Sequence, residues 1–166
     1  MDGYESWYAR VSGLFRGGAW RAAINGADKA LVVLFACAFL VALAVLAIGQ
    51  DPRALRFALV PAIVFVLVTV LRIAINAPRP YEQVAIDPLV HKDTKGESMP
   101  SRHMASAVVI ACALAWLNVG FGVAAFLLCG AIAFTRIVGG VHFPRDVIAA
   151  AALSLTCAII GFILIP

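Results

Sequence analysis

Four long uncharged stretches alternate with polar ones along this chain: Ala30 to Gln50, Phe57 to Leu71, Met104 to Thr135 and Val147 to Pro166. About 20 apolar residues span a bilayer as a helix. The third stretch is too long for one crossing and too short for two complete ones. It must turn at Asn118-Val119-Gly120-Phe121-Gly122, and its two helices must take length from the polar residues at their outer ends. The pattern predicts five spanning helices, at 28–50, 54–76, 101–118, 121–139 and 145–165. Helices satisfy their own backbone groups in lipid and an open sheet does not. The fold class is therefore all-α, an integral membrane helical bundle.

Ahead of the first span, Tyr4, Trp7, Tyr8, Val11, Leu14 and Phe15 recur at helical spacing, with Arg10 and Arg16 between them. Asp2, Glu5 and the lack of a continuous apolar core exclude a signal peptide. The pattern predicts an amphipathic helix lying in the membrane interface. The chain divides into an interfacial segment, 1–26, and a transmembrane domain, 27–166. The sizeable polar insertion runs from Ala77 to Pro100 and is broken by Pro78, Pro80 and Pro88. With five spans the termini lie on opposite sides. The same alternation puts the N-terminal segment, the 77–100 insertion and the 139–145 connection on one face.

Composition agrees. The chain is 63% hydrophobic and 13% charged, where soluble domains average roughly 25% charged. Its net charge of +4 comes from basic residues that flank the spans, so it speaks for headgroups and phosphates rather than nucleic acid. All four cysteines (Cys37, Cys112, Cys129, Cys157) fall inside predicted spans without Cys-x-x-Cys spacing, and each reads as a small buried apolar residue. No Asp, Glu, His or Cys group has metal-ligand spacing, so neither metal nor cofactor is expected.

Three polar clusters end the spans on the shared face. Arg72 lies one turn inside the second span's boundary, where an arginine is costly unless it snorkels, pairs or serves a site. Arg79 is held between Pro78 and Pro80. Pro100-Ser101-Arg102-His103 opens the third span. Proline fixes the helix entry, Ser101 can cap, and the free N–H groups suit an anion. His103 can donate a proton to a leaving oxygen. Arg136 ends the fourth span, Gly139-Gly140 allows a tight reversal, and Pro144 starts the fifth with Asp146 in its first turn. Asp146 can accept a hydrogen bond from one ring nitrogen of His142, leaving the other free to attack. Singly, each cluster has a bland reading as a snorkelling arginine, a serine cap or a first-turn aspartate. Three on one face point to a phosphate site with its own nucleophile.

The motifs resemble those of the type-2 phosphatidic acid phosphatase (lipid phosphate phosphatase) family, which shares its fold with vanadium haloperoxidases. That family reads Lys-x6-Arg-Pro, then Pro-Ser-Gly-His, then Ser-Arg-x5-His-x3-Asp. This chain reads Arg72-x6-Arg79-Pro80, Pro100-Ser101-Arg102-His103 and Thr135-Arg136-x5-His142-x3-Asp146. The resemblance runs from the second span to near the end. Three positions depart from it. Arg72 replaces a lysine with a planar fork of the same charge, and Thr135 keeps a hydroxyl in place of serine. Arg102 replaces a glycine whose backbone approaches phosphate closely, so its side chain either points away or adds a cation. The family core also has six spans where this chain keeps five.

The resemblance implies metal-independent hydrolysis of a lipid phosphate or lipid diphosphate through a phosphohistidine. His142 would be the nucleophile, Asp146 its orienting carboxylate and His103 the proton donor. Arg72, Arg79, Ser101, Arg102 and Arg136 would hold the phosphate oxygens. Phosphatidic acid, phosphatidylglycerol phosphate and polyprenyl diphosphate all fit, with membrane lipids as surroundings and the oligomeric state left open. The competing reading is a non-catalytic protein that binds or transports lipid phosphates through a degenerate site, which the Arg102 departure keeps open. A multi-pass protein of the bacterial cell membrane is implied. Arg10, Arg16, Arg21, Lys29, Lys92 and Lys95 on the site face, against Arg53 and Arg56 opposite, direct the site to the cytoplasm by the positive-inside rule, whereas many bacterial relatives face outward.

Overall fold

The structure, a computed structural model, describes residues 2–164. Among these residues every regular element is helical: α1 (Asp2–Gly13), α2 (Gly18–Ile48), α3 (Arg53–Ile75), α4 (Pro80–Gln83), α5 (Arg102–Leu117), α6 (Val119–Val138) and α7 (Pro144–Leu164). Helices α2, α3, α6 and α7 are long and apolar enough to cross a membrane, and α5 is a shorter apolar helix. The chain is a multi-pass integral membrane protein with the all-helical architecture its hydrophobic pattern predicts. Helices α3, α5, α6 and α7 begin and end within two residues of the expected spans, residue 165 lying outside the described part.

The first span differs. It begins at Gly18 rather than residue 28, and its 31 residues make it about 46 Å long at 1.5 Å per residue. A hydrocarbon core is about 30 Å thick. Ala19, Ala22, Ala23 and Ala27 are strong helix formers, and they carry α2 beyond the membrane core on the site-bearing side.

Helix α5 is central. Its 16 residues reach only about 24 Å, which is tolerable because α2, α3, α6 and α7 all pack on it. Ala105, Ala107, Ala111 and Ala113 are buried there, and small side chains let helix backbones approach closely where lipid supplies no hydrophobic drive. Just after the turn, Gly122 lies so near Ala115 that a Cβ would overlap it. The turn is set by Asn118, whose side-chain oxygen accepts from Gly120 N at 2.9 Å and Phe121 N at 3.2 Å. Phe57, Val60, Val64 and Val68 of α3 complete the core. Leu34, Val41, Val66, Val70, Leu127 and Ile148 face outward, toward lipid. Cys129 is buried as expected, but Cys37 lies exposed on that outer face.

Helix α1 folds across the site-bearing end. Tyr8 is buried, donating from its hydroxyl to Val138 O at 3.0 Å and accepting from Leu89 N at 3.3 Å. The Tyr4 ring lies 4.8 Å from that of Phe143, and Glu5 accepts from Ala85 N at 3.3 Å. Part of the aromatic side expected to face lipid therefore packs on the loops: the Tyr8 hydroxyl finds backbone partners there, whereas the Tyr4 hydroxyl is buried without one.

Candidate active site

Helix α6 ends in a tight turn. Gly140 has φ +74°, a left-handed conformation that glycine adopts without strain, and a Cβ there would meet the Tyr8 hydroxyl at 2.6 Å. The turn delivers His142 into a buried position beside Asp146, in the first turn of α7. The direct hydrogen bond expected between them is not made: His142 Nδ1 stands 3.9 Å from Asp146 Oδ2, beyond hydrogen-bond range. Ser98 links them instead. Its hydroxyl donates to Asp146 Oδ2 at 2.6 Å and lies 3.4 Å from His142 Nδ1. Phe143 N donates to the same Oδ2 at 3.0 Å. Burial lowers the His142 pKa to about 4, reinforced by Arg79 and Arg136 and opposed by Asp146. The imidazole is therefore neutral at pH 7, the form a nucleophile requires. With Nδ1 turned to Ser98 and Asp146, Nε2 is the nitrogen left for a substrate.

The arginines arrive from separate elements. Arg72, in the last turn of α3, is buried rather than snorkelling: Nη1 donates to Pro100 O at 3.5 Å, and Nη2 lies 3.5 Å from Glu97 Oε2. Arg79 precedes α4 and is fixed at its backbone by Glu82, which accepts from Arg79 N at 2.8 Å. Its Nε donates to Gly96 O at 3.0 Å, and its buried Nη1 has no hydrogen-bond partner. Arg136 is buried, with Nε 3.0 Å from Asp28 Oδ1 as an ion pair not aligned for a hydrogen bond. Its Nη1 is also without a hydrogen-bond partner. Thr135 donates to the same Asp28 oxygen at 3.1 Å. Sequence reasoning missed Asp28, although an acid at the start of an expected span is a signal in itself.

At the start of α5, Ser101 occupies the N-cap position, but its side chain makes no capping bond. The buried Oγ is left without a hydrogen-bond partner, while Ser101 N donates to Asp146 O at 3.1 Å. His103 Nδ1 is likewise buried and without a hydrogen-bond partner. Polar atoms buried without partners carry a cost of about 1–3 kcal/mol each; of these two residues His103 lines a chamber shared with Arg72 and His142, and Ser101 lies behind its wall.

Arg72, Arg79, Arg102, His103 and His142 meet around a cavity of about 430 Å³. Arg136 is buried near enough for its charge to act on His142. A larger apolar cavity of about 820 Å³ runs between α2, α3 and α5 past Phe39, Ala62, Phe65 and Ile110. The two share Arg102 and His103. Arg102 stands at this neck, with its guanidinium 5.9 Å from the Phe65 ring centre. A cation-lined chamber joined to an oily groove suits an amphiphile with an anionic head.

Comparison with known proteins gives concordant findings. The family model described as PAP2 superfamily matches residues 53–166, which hold all three motifs and leave out α1 and α2. The crystal structure of LpxE from Aquifex aeolicus is similar, with a TM-score of 0.75 and 25% identity over 95% of this chain and 93% of that one. The first transmembrane PAP2 type phosphatidylglycerolphosphate phosphatase from Bacillus subtilis shares the fold, with a TM-score of 0.58 and 21% identity over 94% of this chain and 90% of that one. No curated protein matches the chain.

Proposed function

The chain belongs to the PAP2 superfamily, and from that membership we propose that it is a membrane phosphatase of lipid phosphates or lipid diphosphates, acting through a phosphohistidine at His142. The carrying observation is the placement of a buried His142, backed by Ser98 and Asp146, in the wall of an arginine-lined chamber that opens onto an apolar groove. A binding protein or transporter has no use for a nucleophile with an orienting carboxylate.

In the first step His142 Nε2 attacks phosphorus and the bond to the lipid oxygen breaks. His103, carrying a proton taken up together with the negatively charged substrate, gives that oxygen its proton, and Asp146 stabilises the charge left on the imidazole. In the second step water attacks the phosphohistidine, His103 takes its proton, and the P–N bond breaks to release phosphate. Arg72, Arg79 and Arg136, with Ser101, hold the non-bridging oxygens where negative charge gathers. These guanidiniums do the electrostatic work for which many phosphatases recruit metal ions. The lipid tail lies in the groove between α2, α3 and α5. Arg102 at the neck faces the leaving side, where a second phosphate would sit, and favours a lipid diphosphate such as a polyprenyl diphosphate.

The test is phosphate release by the purified protein in detergent, with excess EDTA, from phosphatidic acid, phosphatidylglycerol phosphate and a polyprenyl diphosphate. Turnover of at least one is expected. Orthovanadate binding without turnover of any would favour the lipid-phosphate binding or transport reading.

A further inference from the structure

The three motifs do not account for every cation at the chamber. Lys92, from the connection between α4 and α5, lines it together with Arg72, Arg79, His103 and His142. Its position is fixed on both sides. Upstream, Val90 N donates to Gly139 O at 3.0 Å, and Leu89 O accepts from Arg21 Nε at 3.2 Å and Asn25 Nδ2 at 3.0 Å. Downstream, the Tyr81 hydroxyl donates to Thr94 O at 2.6 Å. The ammonium is held on a tethered segment tied to the turn that carries the nucleophile.

Lys92 has no compensating partner of its own. The nearby carboxylates are engaged elsewhere, Glu97 with Arg72 and Asp28 with Arg136. Among the described residues Lys92 makes no ion pair within 4.0 Å. It faces Asp28 from α2, Arg72 from α3, Arg79, His103 and Arg102 from α5, Arg136 from α6, and His142. Half-burying one more cation among so many is unfavourable until a multiply charged anion enters.

We propose that Lys92 is a further phosphate-binding residue, an ammonium held over the same phosphate group as Arg72, Arg79 and Arg136. This rests on the phosphatase reading for the identity of the substrate, but not for the anion chemistry. Burial, then the charge of Arg136, lowers the Lys92 pKa to about 8, with Asp28 opposing and Arg79 and Arg72 adding to the shift. The amine is therefore charged below about pH 8 and lost as a ligand above it, which marks it apart from the arginines. A profile of kcat/KM reports groups of the free enzyme, so its alkaline limb should belong to this residue.

The experiment compares wild type, Lys92→Met and Lys92→Arg as full-length protein in detergent. Orthovanadate and inorganic phosphate binding is measured by calorimetry, and lipid phosphate hydrolysis from pH 6 to 10. Lys92→Met should weaken vanadate binding and raise KM by about ten- to a hundredfold, the scale of a lost charged hydrogen bond, with kcat changed far less. Lys92→Arg should restore binding and keep kcat/KM level through pH 8, where wild type falls. Vanadate affinity within twofold of wild type in Lys92→Met, or an unmoved alkaline limb in Lys92→Arg, would overturn the assignment. If wild type hydrolyses no lipid phosphate, the phosphatase reading fails, and the vanadate series still decides whether Lys92 binds the anion.

Discussion

Asp146 Oδ2 accepts from Ser98 Oγ at 2.6 Å and from Phe143 N at 3.0 Å, while the imidazole it serves stands 3.9 Å away. On the proposed mechanism Ser98 thus sets the carboxylate that orients His142. Ser98→Ala should lower kcat about ten- to a hundredfold, since hydrogen bonds to charged groups are worth roughly 1.5–3 kcal/mol, and leave KM within a few-fold. Steady-state kinetics check this, and an unchanged kcat would remove Ser98 from the alignment. At the chamber's neck, Arg102→Gly should lower turnover of a polyprenyl diphosphate more than that of phosphatidic acid, and an equal loss on both would end the diphosphate preference. Motif spacing picked out His142, Asp146, His103 and the arginines as candidates, and the structure gathers them at one end of the bundle. Ser98, Asp28 and Lys92 were not, because each reaches the site through the path of a loop or a neighbouring helix rather than through a repeat or an offset. Of these, Asp28 alone left a trace, as a carboxylate where an apolar span begins.

Helices were easier to read than their ends. Length and apolar content located α3, α5, α6 and α7 to within two residues, because a continuous apolar run of that length satisfies its own backbone in lipid as a helix. The start of α2 was hidden because its early turns mix alanine with polar residues, and nothing local separates a rising helix from an interfacial one. The same holds for α1, whose aromatic spacing is compatible with packing on lipid or on protein. Its Tyr8 hydroxyl bridges Val138 O and Leu89 N across the base of the turn that carries His142. Tyr8→Phe leaves both groups short of a partner, at about 1–3 kcal/mol. The melting temperature in detergent should fall by several degrees, at about 2–4 °C per kcal/mol for a chain of this size. An unaltered melting point would show that α1 does not brace the turn.

Taken whole, the molecule is a bundle with its apolar surface outward and its charge gathered at one end. Small residues on α5 draw the helices together around a groove that leads from lipid to the arginines. On the proposed function, that geometry separates recognition of the tail from chemistry on the phosphate. Ala62, exposed on the groove wall of α3, lies away from the cation chamber. Ala62→Trp should therefore depress kcat/KM for long-chain substrates at least tenfold while sparing a short soluble phosphate monoester. Equal loss on both would mean that the groove does not hold the tail.

Trapping the covalent intermediate tests the mechanism most directly. Wild-type protein quenched during turnover of a ³²P-labelled lipid phosphate should carry label on His142 that is lost in acid and kept in alkali. The His142→Ala protein, inserted and purified normally, should carry none and release no phosphate. Hydrolysis surviving in His142→Ala above a few per cent of wild type, or label on another residue, would contradict nucleophilic attack by His142.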